Sequence, residues 1–186
     1  MQHANQDGIG TDRVSRFVLV ADQIDRFNVF IGRSASWLYA ILTVVVLANV
    51  TLRYGFNRGS ITMEEIQWHL MAAAFFLGFA YAYAEDAHVR VDILYERFSK
   101  RGKAGVELVF TLIFLLPFAG LIAYNSWFYF LESWELNEVS PEPGGLPARY
   151  AIKFLMFVSF VLLFVQGIAA LLRSVATLSA RGSRGV

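Results

Sequence analysis

Long runs without a formal charge alternate with charged segments along this 186-residue chain. Four windows contain no Asp, Glu, Lys or Arg: residues 34–52, 66–84, 108–131 and 154–172, which hold 19, 19, 24 and 19 residues. At a rise of 1.5 Å per residue, a 19-residue helix is roughly 28 Å long, close to the hydrocarbon thickness of a bilayer. The pattern therefore predicts an all-α integral membrane protein with four transmembrane helices.

Composition supports a membrane protein over a soluble one. Hydrophobic residues make up 56% of the chain and aromatic residues 16%, and the mean hydropathy is positive. A soluble helical bundle would need polar helix faces, and the four windows have almost none. The net charge of +1 leaves no basic surplus for nucleic acid, and the absence of cysteine excludes disulfides and thiolate metal sites.

The distribution of Lys and Arg predicts the orientation. Four spans place both termini and the middle loop on one side, where twelve of the sixteen Lys and Arg residues fall. Cytoplasmic segments carry such an excess, so we expect both termini in the cytoplasm. The predicted organisation is a cytoplasmic segment at 1–33, a membrane domain at 34–175 and a cytoplasmic tail at 176–186.

Two further segments have the pattern of amphipathic surface helices. At about 89–101, Val91, Leu94 and Phe98 share one helix face, and arginines take the others. Within 1–33, Phe17 and Ile31 belong to a seven-residue apolar repeat. Lipid and an apolar partner subunit would both contact the apolar face of such a helix, so the sequence does not decide between these two contacts.

Residues able to perform chemistry are scarce in the spans. Asn49, His69, Asn125 and Gln166 are their strongest polar groups, and all lie toward window ends. No phosphate-binding glycine loop, zinc-spaced histidine pair or nucleophile motif is present, so we expect no enzyme, no metal and no cofactor. The alternatives are a membrane redox subunit that uses His69 with haem or quinone, and a homo-oligomeric channel.

The sequence instead carries packing signals. Ala74, Gly78 and Ala82 repeat every four residues, a small-residue stripe that lets another helix approach closely. Pro117 and Gly120 predict a kink in the third span. The loop after that span is rich in glutamate and proline, which predicts a stiff, acidic and exposed segment.

Several local motifs in this order resemble one transporter family. They are Arg53–Tyr54 after the first span, the pair Glu64–Glu65, "FLGFAYA" at 76–82 and "HVRVD" at 88–92. Over residues 34–100 the chain resembles the small membrane subunit of tripartite ATP-independent periplasmic (TRAP) transporters. The loop "EVSPEPGGLPARYAIK" is similar to the branch labelled for mannitol or chloroaromatic compounds.

This resemblance implies a division of labour in a bacterial inner membrane. A large membrane subunit moves as an elevator and carries substrate and sodium, a periplasmic binding protein delivers an organic acid, and the small subunit braces the large one. Bound phospholipid is compatible with this arrangement, and no substrate residue is expected in this chain.

The resemblance also suggests roles for three sets of residues. The expected large-subunit interface consists of Glu64, Glu65, Trp68, Ala74, Gly78 and Ala82. The expected cytoplasmic turn, which contacts lipid or a partner, contains His88, Arg90, Asp92 and Arg97. The expected docking surface for the binding protein contains Glu132, Glu135, Glu138, Glu142 and Arg149.

Overall fold

Five α-helices and one short π-helix make up the described part of the chain. The structure, a computed structural model, describes residues 4–85 and 98–179, with side chains from residue 15 onward. The helices are α1 (Ala4–Gly55), α2 (Ile61–Ala84), α3 (Lys100–Phe110), α4 (Leu116–Glu135) and α5 (Tyr150–Ser179), and the π-helix is Thr111–Leu115. Because no strand occurs within these residues, the predicted all-α class is confirmed.

All four charge-free windows lie within helices. Among the described residues, three stretches are long and apolar enough to cross a membrane: Ser15–Gly55, Lys100–Glu135 and Tyr150–Ser179. The fourth window lies in α2, which has 24 residues and is not among these three stretches. The four-span count and the orientation of the termini therefore remain predictions.

The first helix differs from its predicted boundary. We expected a surface helix before residue 34 and a separate span after it, but α1 runs from Ala4 to Gly55 without an interruption. Polar side chains of its first half bond to α5, and Gly32 packs directly against Tyr81 of α2. These long-range contacts keep the first half of α1 on the helix bundle.

Helix α3 begins where the second surface helix was expected to end. The hydroxyl of Ser99 accepts a hydrogen bond from the Gly102 N–H at 3.2 Å, which caps α3. Lys100 and Arg101 therefore belong to α3. Residues 98 and 99 of the predicted surface helix at 89–101 are not helical, and residues 89–97 lie outside the described residues.

The predicted kink in the third span coincides with a π-helix. Pro117 has no N–H to donate, and the turn before it widens so that the Leu116 N–H bonds to the Thr111 carbonyl, five residues back. Thr111 is buried, and its hydroxyl lies 3.0 Å from the Tyr83 hydroxyl of α2. The irregular turn is thus tied to a neighbouring helix.

Small and polar residues fill the interior, while large apolar residues face outward. Of the twelve buried apolar residues among those described, ten are alanine, and Phe160 and Leu163 are the other two. Phe114, Leu121 and Trp37 are more than half exposed. Lipid is as apolar as leucine, so membrane helices associate through close contacts of small residues. Helix α5 is central, since it packs against every other described helix.

Candidate interaction surfaces

The loop at 136–149, here called the cap loop, is held against α2 by a buried carboxylate. Glu65 is only 5% exposed. It accepts hydrogen bonds from the Ser140 hydroxyl and from the Leu146 N–H, the latter at 2.5 Å. The Thr62 hydroxyl also donates to the Gly144 carbonyl at 2.5 Å. The first turn of α2 therefore anchors a loop that lies about 80 residues further along the chain.

Two adjacent glycines allow this close approach. Gly144 has a φ of +83°, a conformation that side chains with a Cβ rarely adopt. A Cβ at Gly145 would lie 2.3 Å from the Ser140 Oγ and 2.8 Å from the Glu65 Oε2. Gly144 and Gly145 are therefore needed to bring the backbone of the cap loop close to Glu65, a role that the sequence did not indicate.

A second carboxylate anchors the other end of the cap loop. Glu138 accepts hydrogen bonds from Lys153 and from the Ser133 hydroxyl, the latter at 2.6 Å. The hydrogen bond from the Lys153 ammonium, followed by that from Ser133, lowers the pKa of Glu138 below its ordinary value. The Glu138 carbonyl also accepts the Arg149 N–H at 3.0 Å. The cap loop is thus fixed at both ends by ionised side chains.

A groove of about 340 Å³ opens beside the cap loop, between α2, α4 and α5. We call it the cap groove. Trp68 lies on its wall, with the Arg149 guanidinium 5.6 Å from the ring centroid. His69 stacks on Trp68 with 3.9 Å between ring centroids, and its Nδ1 donates to the Glu65 carbonyl at 2.7 Å. The groove therefore combines aromatic and cationic walls.

The predicted docking residues fall into two groups. Glu138 and Arg149 are part of the cap loop's internal contacts. Glu132, Glu135 and Glu142 are exposed. Glu142 lies in the cap loop and Glu132 and Glu135 lie in the last turn of α4, so three carboxylates are exposed at this end of the bundle. The docking role of all five residues stays a prediction.

The predicted large-subunit interface is also divided. Glu65 and Ala74 are buried within the chain, at 5% and 3% exposure. Glu64 pairs with Arg53 at the end of α1. A Cβ at Gly78 would meet nothing within 4 Å, so this glycine faces open space.

Gly78 belongs to one open face of α2. Met71 and Phe75 are 55% and 58% exposed, and together with Gly78 and the half-buried Ala82 they follow the spacing of one helix face. We call these four residues the open face. It differs from the predicted stripe in replacing the buried Ala74 with two large exposed residues.

A polar cluster that sequence reasoning missed joins α1 to α5. The Gln166 amide donates to Asp25 and accepts from Asn28, both at 2.7 Å, and is only 2% exposed. Arg173 pairs with Asp22 at 2.8 Å and also with Asp25. The three α1 residues recur at intervals of three, a periodic signal that would have marked a polar helix face.

The remaining candidates can be placed only in part. His88, Arg90, Asp92 and Arg97 lie outside the described residues, so the cytoplasmic-turn role stays a prediction. Nearby, Arg33 and Glu85 form an exposed ion pair at 3.6 Å. Among the described residues, no group of three or more His, Cys, Asp or Glu side chains is arranged to hold a metal ion.

The fold and these surfaces define an all-helical membrane protein that has a cap loop bonded to its helices and one exposed face on α2. The family model described as "Tripartite ATP-independent periplasmic transporters, DctQ component" matches residues 42–177. The chain therefore belongs to the DctQ family of TRAP transporter small permease subunits, as its motifs predicted.

One relative adds independent support for the family. A protein of Haemophilus influenzae, provisionally named a TRAP transporter small permease protein, is 34% identical over 110 residues. These residues are 59% of this chain and 66% of that relative. No solved structure matches the chain significantly. The resemblance to the mannitol or chloroaromatic branch stays a prediction.

Proposed function

We propose that this subunit braces the large membrane subunit of a TRAP transporter during sodium-coupled uptake of an organic acid. The observation that carries the proposal is the open face of α2, where a Cβ added at Gly78 would meet nothing within 4 Å and where Met71 and Phe75 are exposed. Without a hydrophobic driving force in lipid, helices associate where a small residue lets backbones come close. Gly78 provides such a place, with large side chains to pack around it.

An elevator-type subunit works only against a part that stays still. Here the polar cluster ties α1 to α5, and the anchored cap loop ties α2 to α5. Both links bond buried polar groups in fixed geometry, which resists relative movement of the helices. The subunit is therefore suited to act as the fixed part, with substrate and sodium held by the large subunit.

The cap loop is the proposed docking surface for the periplasmic binding protein. Its anchors Glu65 and Glu138 hold the loop in one conformation, while Glu132, Glu135 and Glu142 remain exposed. Charges that are held in fixed positions increase the rate at which two proteins associate and determine their relative orientation in the complex. This role requires the cap loop to lie on the periplasmic side and both termini in the cytoplasm of a bacterial inner membrane.

Co-purification with the large subunit tests the bracing role. We expect Gly78→Leu to reduce recovery of the large subunit, because the longer side chain separates the two backbones. Gly105→Leu is the matched control, since a Cβ at Gly105 on α3 also meets nothing within 4 Å. Equal recovery with both variants would place the interface elsewhere, and recovery of this chain alone in mild detergent would refute the proposal.

Reconstitution separates bracing from independent transport. We expect vesicles that contain only this chain to show no flux of sodium or organic acid. Flux from the chain alone would favour the homo-oligomeric channel. A visible absorption band in the purified protein would favour the redox alternative that uses His69.

A further inference from the structure

The turn that follows α4 exposes its large apolar side chains, while its polar side chains face inward. Leu136 and Val139 are 72% and 57% exposed, and we call this pair the loop tip. Ser133, by contrast, is 1% exposed, and its hydroxyl donates to the half-buried Glu138 carboxylate at 2.6 Å. Large apolar side chains normally face the interior and polar ones face water. The reversed arrangement of this turn is typical of an interaction site.

Hydrogen bonds hold the turn in this conformation. Asn137 has a φ of +47°, and its N–H donates to the Trp134 carbonyl at 3.1 Å. The Glu138 N–H donates to the Ser133 carbonyl at 3.0 Å. These two bonds form a Schellman motif, which closes the C-terminal end of α4. Lys153 also donates to the Glu138 carboxylate. The loop tip is therefore exposed by a fixed turn and not by a frayed helix end.

Contact with lipid tails does not explain the exposure of Leu136. Glu132 is exposed in the last turn of α4, one helical turn before Leu136. The helical rise places Leu136 roughly 6 Å further along the axis of α4 than this carboxylate. An ionised carboxylate is costly in hydrocarbon, so the exposed Glu132 already lies on the aqueous side of the membrane boundary. Leu136 therefore lies outside the hydrocarbon.

The charges at this end of the bundle favour a protein partner over a lipid surface. Glu132, Glu135 and Glu142 are exposed, and none of them is in an ion pair among the described residues. The anchor carboxylates of the cap loop are matched by the nearby cations Arg149 and Lys153. A surplus of three negative charges therefore remains at the surface. Anionic lipid headgroups would be repelled by it, whereas a basic protein surface would be attracted.

We propose that the loop tip inserts into an apolar recess of the periplasmic binding protein, and that basic side chains around this recess pair with Glu132, Glu135 and Glu142. An apolar centre with a charged rim is the usual organisation of a protein–protein interface. The buried centre provides most of the affinity, while the rim charges determine the association rate and its salt dependence. This inference rests on the proposed docking role of the cap loop.

Affinity of the binding protein for the complex of both membrane subunits in lipid nanodiscs, measured at several salt concentrations, tests the loop tip. We expect Leu136→Ser and Val139→Ser each to weaken binding about tenfold, with an unchanged salt dependence. Phe56→Ser is the matched control, because Phe56 is 67% exposed in the turn between α1 and α2, at the same end of the bundle. This control should bind like the wild type. Equal binding by the wild type and both tip variants would overturn the inference.

A charge variant separates this inference from the docking role on which it rests. Glu132→Gln, Glu135→Gln and Glu142→Gln, combined in one protein, should weaken binding and reduce its salt dependence. If this variant binds weakly while both tip variants bind normally, the docking role stands and the loop tip is not its centre. If neither the charge variant nor the tip variants differ from the wild type, the docking role fails as well.

A spin label at the loop tip tests the alternative that the membrane covers it. The chain contains no cysteine, so Leu136→Cys provides one labelling site. In nanodiscs that contain only this chain, we expect the label to be more accessible to a water-soluble nickel complex than to lipid-soluble oxygen. The opposite order would place the loop tip in the bilayer and overturn the inference.

Discussion

A close contact between α1 and α2, at Gly32 and Tyr81, allows a quantitative test of the fold. A Cβ added at Gly32 would lie 2.2 Å from the Cβ and 2.3 Å from the Cγ of Tyr81. Carbon atoms in ordinary contact are about 3.5–4.0 Å apart, so the two helices would have to separate by roughly 1–2 Å at this point. The Tyr81 Cβ is fixed to the backbone and cannot rotate away. Gly32→Ala should therefore loosen the α1–α2 contact.

The expected magnitude combines two opposing effects. Overpacking of a close-packed contact costs about 1–3 kcal/mol, whereas alanine stabilises a helix interior by about 0.5–1 kcal/mol relative to glycine. We therefore expect Gly32→Ala to lower the free energy of unfolding by about 1–2 kcal/mol. Gly78→Ala is the matched control, because it gives the same helix-propensity gain without a close neighbour. It should leave stability unchanged or slightly raised.

Unfolding in mixed micelles of mild detergent and dodecyl sulfate measures both variants on one scale, with helix content followed by circular dichroism. The difference between the two variants isolates the steric contact, since each gains the same methyl group in a helix. Equal stability of Gly32→Ala and Gly78→Ala would refute the close approach of α1 to α2.

Three further predictions concern the polar cluster and the cap loop. Gln166→Leu removes the hydrogen-bond acceptor of the buried Asn28 amide and one of the two partners of Asp25, and it should cost about 2–3 kcal/mol of unfolding free energy. Asn125→Leu, at an exposed amide, should cost much less. Since the pKa of Glu138 is lower in the folded protein, its stabilisation is present at neutral pH and is lost as pH falls through that folded pKa. Thermal unfolding should therefore depend less on acidification in Glu138→Gln than in the wild type, and the exposed control Glu132→Gln should behave like the wild type. Gly145→Ala should release the cap loop from α2, which limited proteolysis would detect as faster cleavage in this loop; unchanged cleavage would contradict the close packing at Gly145.

Much of the helical architecture was predictable because its signals are local. Charges are costly in hydrocarbon, so the absence of Asp, Glu, Lys and Arg marked helical segments that the structure confirms. Pro117 marked the irregular turn of the third predicted span for a local reason as well, since proline removes one backbone donor. The motifs around Glu64 and residues 76–82 were sufficient to predict the family that the comparison confirms.

The partners of polar side chains were not predictable in the same way. Glu65 was taken for a residue at a subunit interface, yet its hydrogen-bond donors lie 75 and 81 residues away in the cap loop. Gln166 was taken for an ordinary polar residue near the end of a span, yet its partners lie 138 and 141 residues away on α1. Residues so far apart in sequence leave no periodic pattern that pairs them.

The sequence by itself determined where the chain is apolar, where its helices lie and which family it resembles, because these properties depend on neighbouring residues. Only the tertiary structure decided that α1 continues unbroken along α5, that Ala74 is buried while Gly78 is open, and that Arg149 lines a groove. The physical reason is that the helix face a residue occupies follows from sequence, whereas what that face meets depends on how distant helices pack.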